Sequence, residues 1–176
     1  MENSIKEFNR NDRVRIDNCY AWDIAFHSDV ARRDIMIPGG AKGYALLTVD
    51  QVEEEILKQN GFFVGLDGLG DHAGLKICDP EMYAYLFRCE DHTHHVSKES
   101  IVELLKLSSK AKYTEAMEET IKTASEARMC LYYMNDFEWT DYLGWKHDIF
   151  GEKPASVSLS NGILPRTELS ENCVNF

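Results

Sequence analysis

Polar and apolar positions alternate along the first part of this chain and recur at helical spacing along the rest. Residues 13–16 (Arg-Val-Arg-Ile) alternate as a half-buried strand does. Over 19–26, Tyr20, Trp22, Ile24 and Phe26 fall on one side of a period-two pattern. Cys19, Ala21, Asp23 and Ala25 fall on the other, so the pattern predicts a second strand. Residues 34–37, closed by a Pro38-Gly39-Gly40 turn, read as a further short strand, and residues 44–47 lead into a helix. A helix should open at Thr48, where Gln51 completes a capping box and Leu47 and Val52 occupy the positions of a hydrophobic staple. Val49, Val52 and Ile56 give it an apolar stripe, Glu53, Glu54 and Glu55 are expected to face water, and Asn60-Gly61 should stop it. Residues 62–66 and 72–78 read as the two strands of a hairpin around the turn 67–71. Asp79-Pro80 then pairs a cap with proline at the first helical position, predicting a short helix to about Leu86.

Past the polar stretch 90–95 the spacing turns helical. Ser97 should cap a helix carrying Ile101, Leu104 and Leu105, with Val96 and Ile101 as a second staple. Thr114 reads as the cap of a longer helix, with Glu115, Glu118 and Glu119 near its positive end. Met117, Ile121, Ala124, Leu131 and Met134 would line its apolar side. The aromatic-rich residues 137–150 read as a third helix ended by Gly151 and Pro154, and residues 155–176 as extended chain.

These elements predict an α+β protein. A small β-sheet or open barrel with one packed helix should occupy 1–95, a two- or three-helix segment 96–151, and an extended tail 152–176. Either folded part alone would have a thin core, so the two should pack on each other or on a partner.

Composition narrows the function classes. The net charge is −11, spread as −7 over 1–95 (10 basic, 17 acidic), −3 over 96–151 (7 and 10) and −1 over 152–176 (2 and 3). No segment is basic enough to suggest binding to nucleic acid or to an anionic membrane. No apolar run approaches the roughly 18 residues of a membrane span, and the polar start lacks the apolar core of a signal peptide. Cys19, Cys78, Cys89, Cys130 and Cys173 are odd in number and widely spaced, which suits a reducing compartment better than a disulfide framework.

Four constellations could carry chemistry. Gly68-x-Gly70-x-x-Ala73 matches a relaxed dinucleotide fingerprint, but it sits between strand-like runs where a glycine-rich turn is the simpler reading. Asp67 and Asp71 fall short of the ligand set of a calcium loop. Cys89, His92, His94 and His95 form the most metal-like cluster, since Cys-x-x-His and His-x-His can present zinc ligands, yet a structural site wants a second pair at a distance, and nothing in the spacing recommends the available Cys78 and His72. A hydrophilic linker is therefore expected there, with no bound metal and no cofactor. Phe137, Trp139, Tyr142, Trp145 and Phe150 form an aromatic cluster of the kind enriched where proteins dock, or else the core of the third helix. No nucleophile motif stands out, and a non-catalytic role is expected.

The segments 13–26, 34–56 and 60–87 carry a Cys19-x-x-Trp22 strand, an Ile37-Pro38 turn and a polar-capped helix. They also carry Gly65, Asp67, Gly68, Gly70, His72 and Ala73 ahead of Ile77 and Asp79. In this order they resemble a group of small tailed-bacteriophage proteins, over residues 13 to about 135. The resemblance implies a virion component of the head or neck, made in the host cytoplasm. Such a subunit would dock with other virion proteins, such as capsid or neck subunits, in an oligomeric assembly. Two further readings are an intracellular phage protein that binds and inhibits a host factor, and a zinc-dependent enzyme using the Cys/His cluster.

Overall fold

The computed structural model describes residues 7–40 and 43–136. The fold is α+β, with small antiparallel sheets and several helices. The chain divides into two compact units, Met1–His95 and Val96–Phe176.

In the first unit, β1 (Arg13–Asn18) is the centre of a three-stranded antiparallel sheet between β4 (Tyr44–Thr48) and β5 (Leu75–Ile77). β2 (Ile24–Ser28) and β3 (Arg33–Ile37) form a separate antiparallel pair. Three helical segments join them: α1 (Val49–Leu57), α2 (Gly61–Val64) and α3 (Pro80–Phe87). Val14, Ile16, Ile24, Ile37, Leu47, Val52, Phe63, Leu75 and Ile77 are buried together with Met82, so each strand contributes its inward row to the core.

The two caps predicted in this unit form as local chemistry requires. Thr48 and Gln51 close a capping box at the start of α1, and the Asp79 carboxylate accepts from the Glu81 and Met82 amides ahead of α3. Two strand predictions fail. The run 19–26 becomes a strand only from Ile24, because the Asn18 side chain intervenes. Its Oδ1 accepts from the Tyr20 amide at 2.9 Å, and its Nδ2 donates to the carbonyls of Trp22, Ile37 and Pro38 at 2.9–3.1 Å. A side chain that captures nearby backbone in this way turns the chain instead of extending it. Residues 62–66 form no strand: Asn60 caps the Phe62 amide, the helical turn α2 follows, and Gly65 at φ +60° ends it. The expected hairpin is therefore absent, and β5 pairs with β1.

The acidic run of α1 also departs from expectation. Glu55 is 2% exposed, with Oε2 taking a hydrogen bond from Asn60 Nδ2 at 2.6 Å. Glu54 reaches across to the turn between β2 and β3. It accepts from Ser28 Oγ and from the amides of Asp29 and Val30. A carboxylate with that many donors leaves the solvated face, since the hydrogen bonds offset the loss of water.

In the second unit the described helices are α4 (Lys98–Leu105), α5 (Lys110–Thr120) and α6 (Ala124–Asp136). Ser97 caps α4 in a box with Ser100. Thr114 lies inside α5, so it is no cap, and the single long helix expected there is two. The break comes from Thr123 and Glu126. Glu126 Oε2 accepts from the Lys122 and Thr123 amides at 2.8 and 2.9 Å, and Thr123 Oγ1 accepts from the Glu126 amide at 3.2 Å. This reciprocal cap starts a new helix in the middle of the apolar stripe. Ile101, Leu105, Tyr113, Met129 and Leu131 are fully buried in this unit. The third helix expected at 137–150 and the tail 152–176 lie outside the described residues.

Candidate functional site

Two surfaces of the first unit gather polar or reactive side chains. The first is the loop between α2 and β5 with the segment that follows α3. Gly65 admits no side chain: a Cβ there would stand 2.0 Å from the Asp71 carbonyl oxygen. That close approach lets the Leu66 amide bond Asp71 O and the Gly70 amide bond Val64 O, both at 2.8 Å. Asp67 Oδ1 accepts from the Leu69 and Asp71 amides at 2.8 and 3.1 Å. Both glycines of the fingerprint sit at positive φ in this turn, and β5 follows them where a pyrophosphate loop needs a helix N-terminus.

The histidines of 92–95 clasp this loop. His92 Nε2 donates to Asp67 Oδ2 at 3.0 Å while its Nδ1 faces the Glu90 carbonyl at 3.2 Å. Both ring nitrogens therefore point at acceptors, which the doubly protonated ring satisfies best. The Asp67 hydrogen bond, followed by that of Glu90, raises the His92 pKa above its ordinary value. His94 donates to Asp71 Oδ1 from both its backbone amide (2.8 Å) and its Nδ1 (3.0 Å). Burial alone would raise Asp67 and Asp71, but these hydrogen bonds hold both carboxyls below the usual range. His95 Nδ1 donates to Ala73 O at 3.1 Å, and burial pushes its pKa down. Tyr83 Oη donates to Leu69 O at 2.6 Å, and Cys89 Sγ lies 3.8 Å from that hydroxyl.

The four metal-like residues thus turn to four different partners: Cys89 to Tyr83, His92 to Asp67, His94 to Asp71, and His95 to a carbonyl. Among the described residues no three His, Cys, Asp or Glu side chains are grouped to hold a metal ion. Chemically, the arrangement ties two backbone segments into one closed loop. The carboxylates of Asp67 and Asp71 are spent on amides and imidazoles.

The second surface is the outer face of the three-stranded sheet. The register sets Arg13 opposite Thr48, Arg15 opposite Leu46, and Asp17 between Tyr44 and Lys76. Because successive side chains alternate, these residues share the face turned away from the core. Tyr44 and Leu46 are 46% and 55% exposed. The Arg15 guanidinium lies 4.4 Å from the centre of the Tyr44 ring, and its Nε donates to Asp17 at 2.7 Å. In a chain of net charge −11 this face holds three cations against one carboxylate. The alternation in Arg-Val-Arg-Ile was visible in the sequence, but Tyr-Ala-Leu-Leu does not alternate and was not legible as a strand, so the shared face required the register. The docking residues proposed from sequence, Phe137, Trp139, Tyr142, Trp145 and Phe150, lie outside the described residues.

Among the described residues no helix is long and apolar enough to cross a membrane. With the α+β class in place, comparison with known proteins adds no family: the chain matches no family model, no curated protein and no solved structure.

Proposed function

We propose that this chain is a non-catalytic structural or accessory subunit of a bacteriophage virion, associated with the head or neck, that works by docking on other virion proteins. The observation that carries the docking part is the outer face of the β4-β1-β5 sheet, where Tyr44 and Leu46 stand exposed beside two arginines. Aromatic and arginine side chains set together on an open surface are what protein interfaces favour. The histidine–aspartate clasp supports the same reading, since its ionisable groups are engaged in holding a loop closed. The virion assignment rests on the sequence resemblance.

Quantitative mass spectrometry of purified particles tests the proposal. It predicts the chain in fixed stoichiometry with a capsid or neck protein, retained through gradient purification. Absence from particles, with recovery of one host protein from infected-cell lysate, would overturn it in favour of a host-directed binding protein.

A further inference from the structure

The docking face ends at a sheet edge, and that edge has a definite phase. At one end of the β1–β4 ladder the Asn18 amide donates to Gly43 O at 2.9 Å. At the other the Val49 amide donates to Asp12 O at 3.1 Å. In an antiparallel ladder bonded residues alternate with unbonded ones. Ala45 and Leu47 therefore bond inward to β1, while the amides and carbonyls of Tyr44, Leu46 and Thr48 point outward. Gln51 Oε1 takes the Thr48 amide at 2.9 Å as part of the capping box. The outward groups of Tyr44 and the Leu46 amide remain as an open edge, the Leu46 carbonyl being reached by Arg13, for β4 has no further strand beside it among the described residues.

Natural edges of this kind are usually blunted by lysine, proline or a bulge. The segment Tyr-Ala-Leu-Leu-Thr has none of these and exposes two large apolar side chains. Two cations lean over it. Arg13 Nη1 reaches Leu46 O at 3.5 Å, so its guanidinium stands at the outer side of β4, and the Arg15 guanidinium covers Tyr44. A strand laid along this edge would meet backbone partners, two apolar side chains and two guanidinium groups.

Resting on the docking reading above, we infer that the β4 edge accepts an extended acidic segment of a partner polypeptide as a fourth strand. The alternating outward N–H and C=O groups favour a polypeptide over a nucleic acid, because they match another strand's backbone. Arg13 at the edge, beside Arg15 already paired with Asp17, selects acidic side chains on the incoming strand's outer face.

The test uses the full ¹⁵N-labelled chain and a capped heptapeptide of alternating glutamate and valine. The controls are its lysine–valine counterpart and oligothymidylate. The glutamate peptide should slow hydrogen exchange of the Tyr44 and Leu46 amides at least tenfold, and the controls should not. Joint Arg13→Glu and Arg15→Glu substitution should weaken binding at least tenfold. Leu46→Pro, which removes one outward N–H at an edge position that tolerates proline, should abolish it while the Ile16 and Ile77 signals stay in place. Unprotected amides at millimolar glutamate peptide, equal protection by the lysine peptide, or protection by oligothymidylate alone would each overturn the inference. These outcomes are independent of whether the chain is found in particles, so the two proposals fail separately.

Discussion

Glu54 offers the sharpest quantitative check on how the first unit is held together. Its carboxylate accepts from Ser28 Oγ at 2.8 Å, the Asp29 and Val30 amides at 2.7 and 3.1 Å, and Lys58 Nζ at 2.6 Å. The side chain is 11% exposed. Burial by itself would raise its pKa, but the hydrogen bonds from Lys58, Ser28, Val30 and Asp29 prevail and pull it from 4.5 down to about 2. A carboxyl held that far below its ordinary value corresponds to about 3 kcal/mol. Screening at the partly wet rim brings the expected contribution to about 2 kcal/mol. Since the folded pKa is depressed, this stability is fully present above the unfolded value of 4.5 and is lost as pH falls through about 2. Glutamine at this position keeps one acceptor and loses the charge. Glu54→Gln should therefore lower stability by about 2 kcal/mol at neutral pH, with the deficit shrinking below about pH 5 to less than half by about pH 3. Urea unfolding followed by circular dichroism, on both proteins across pH 7 to 3, measures it. Equal stability at pH 7, or a deficit as large at pH 3 as at pH 7, would refute the idea that a charged Glu54 pins the β2–β3 turn.

Three other expectations follow from the geometry. In an NMR titration His92 should show a pKa above 6.5, returning toward that value in Asp67→Asn. The raised folded pKa means that its contribution to closing the loop is present below 6.5 and is lost as pH rises through the folded value. Gly65→Ala must place a Cβ 2.0 Å from Asp71 O at φ +60°, so it should cost more than about 3 kcal/mol or prevent folding. Gly68→Ala, also at positive φ but with its nearest neighbour 3.9 Å away, should cost about 1–2 kcal/mol; equal effects in thermal melts would contradict the packing. Glu126→Ala removes the acceptor of two amides at the start of α6 and should destabilise the chain by about 1–2 kcal/mol in urea unfolding, whereas Glu119→Ala, exposed on α5, should change little.

What could be read from the sequence was what local chemistry decides. The Thr48–Gln51 box, the Asp79-Pro80 start and the Ser97 cap each involve groups within a few residues, and each formed. The Thr123-x-x-Glu126 cap was equally local, but a continuous apolar stripe from Met117 to Met134 concealed it. Other features depend on distant partners. Asn18 breaks the aromatic strand pattern only because Ile37 and Pro38 bring carbonyls to its amide. Phe62, Phe63 and Val64 have strand-like side chains, yet Asn60 and Gly65 confine them to one helical turn. Likewise the histidine cluster was visible as a cluster. Its pairing with Asp67 and Asp71, some twenty residues earlier, was not, and that pairing turns a metal-like motif into a clasp.

The proposed docking role turns on whether the β4 edge meets another protein. A photo-activatable benzoylphenylalanine placed at Leu46 and illuminated in assembled particles asks this directly, with Leu66, 57% exposed in the loop after α2, as the control position. Docking through β4 should give a specific cross-link from position 46 to a second virion polypeptide, through an acidic stretch of it, and none from position 66. A chain that is present in particles but yields no cross-link at 46, or the same cross-links from both positions, would contradict it.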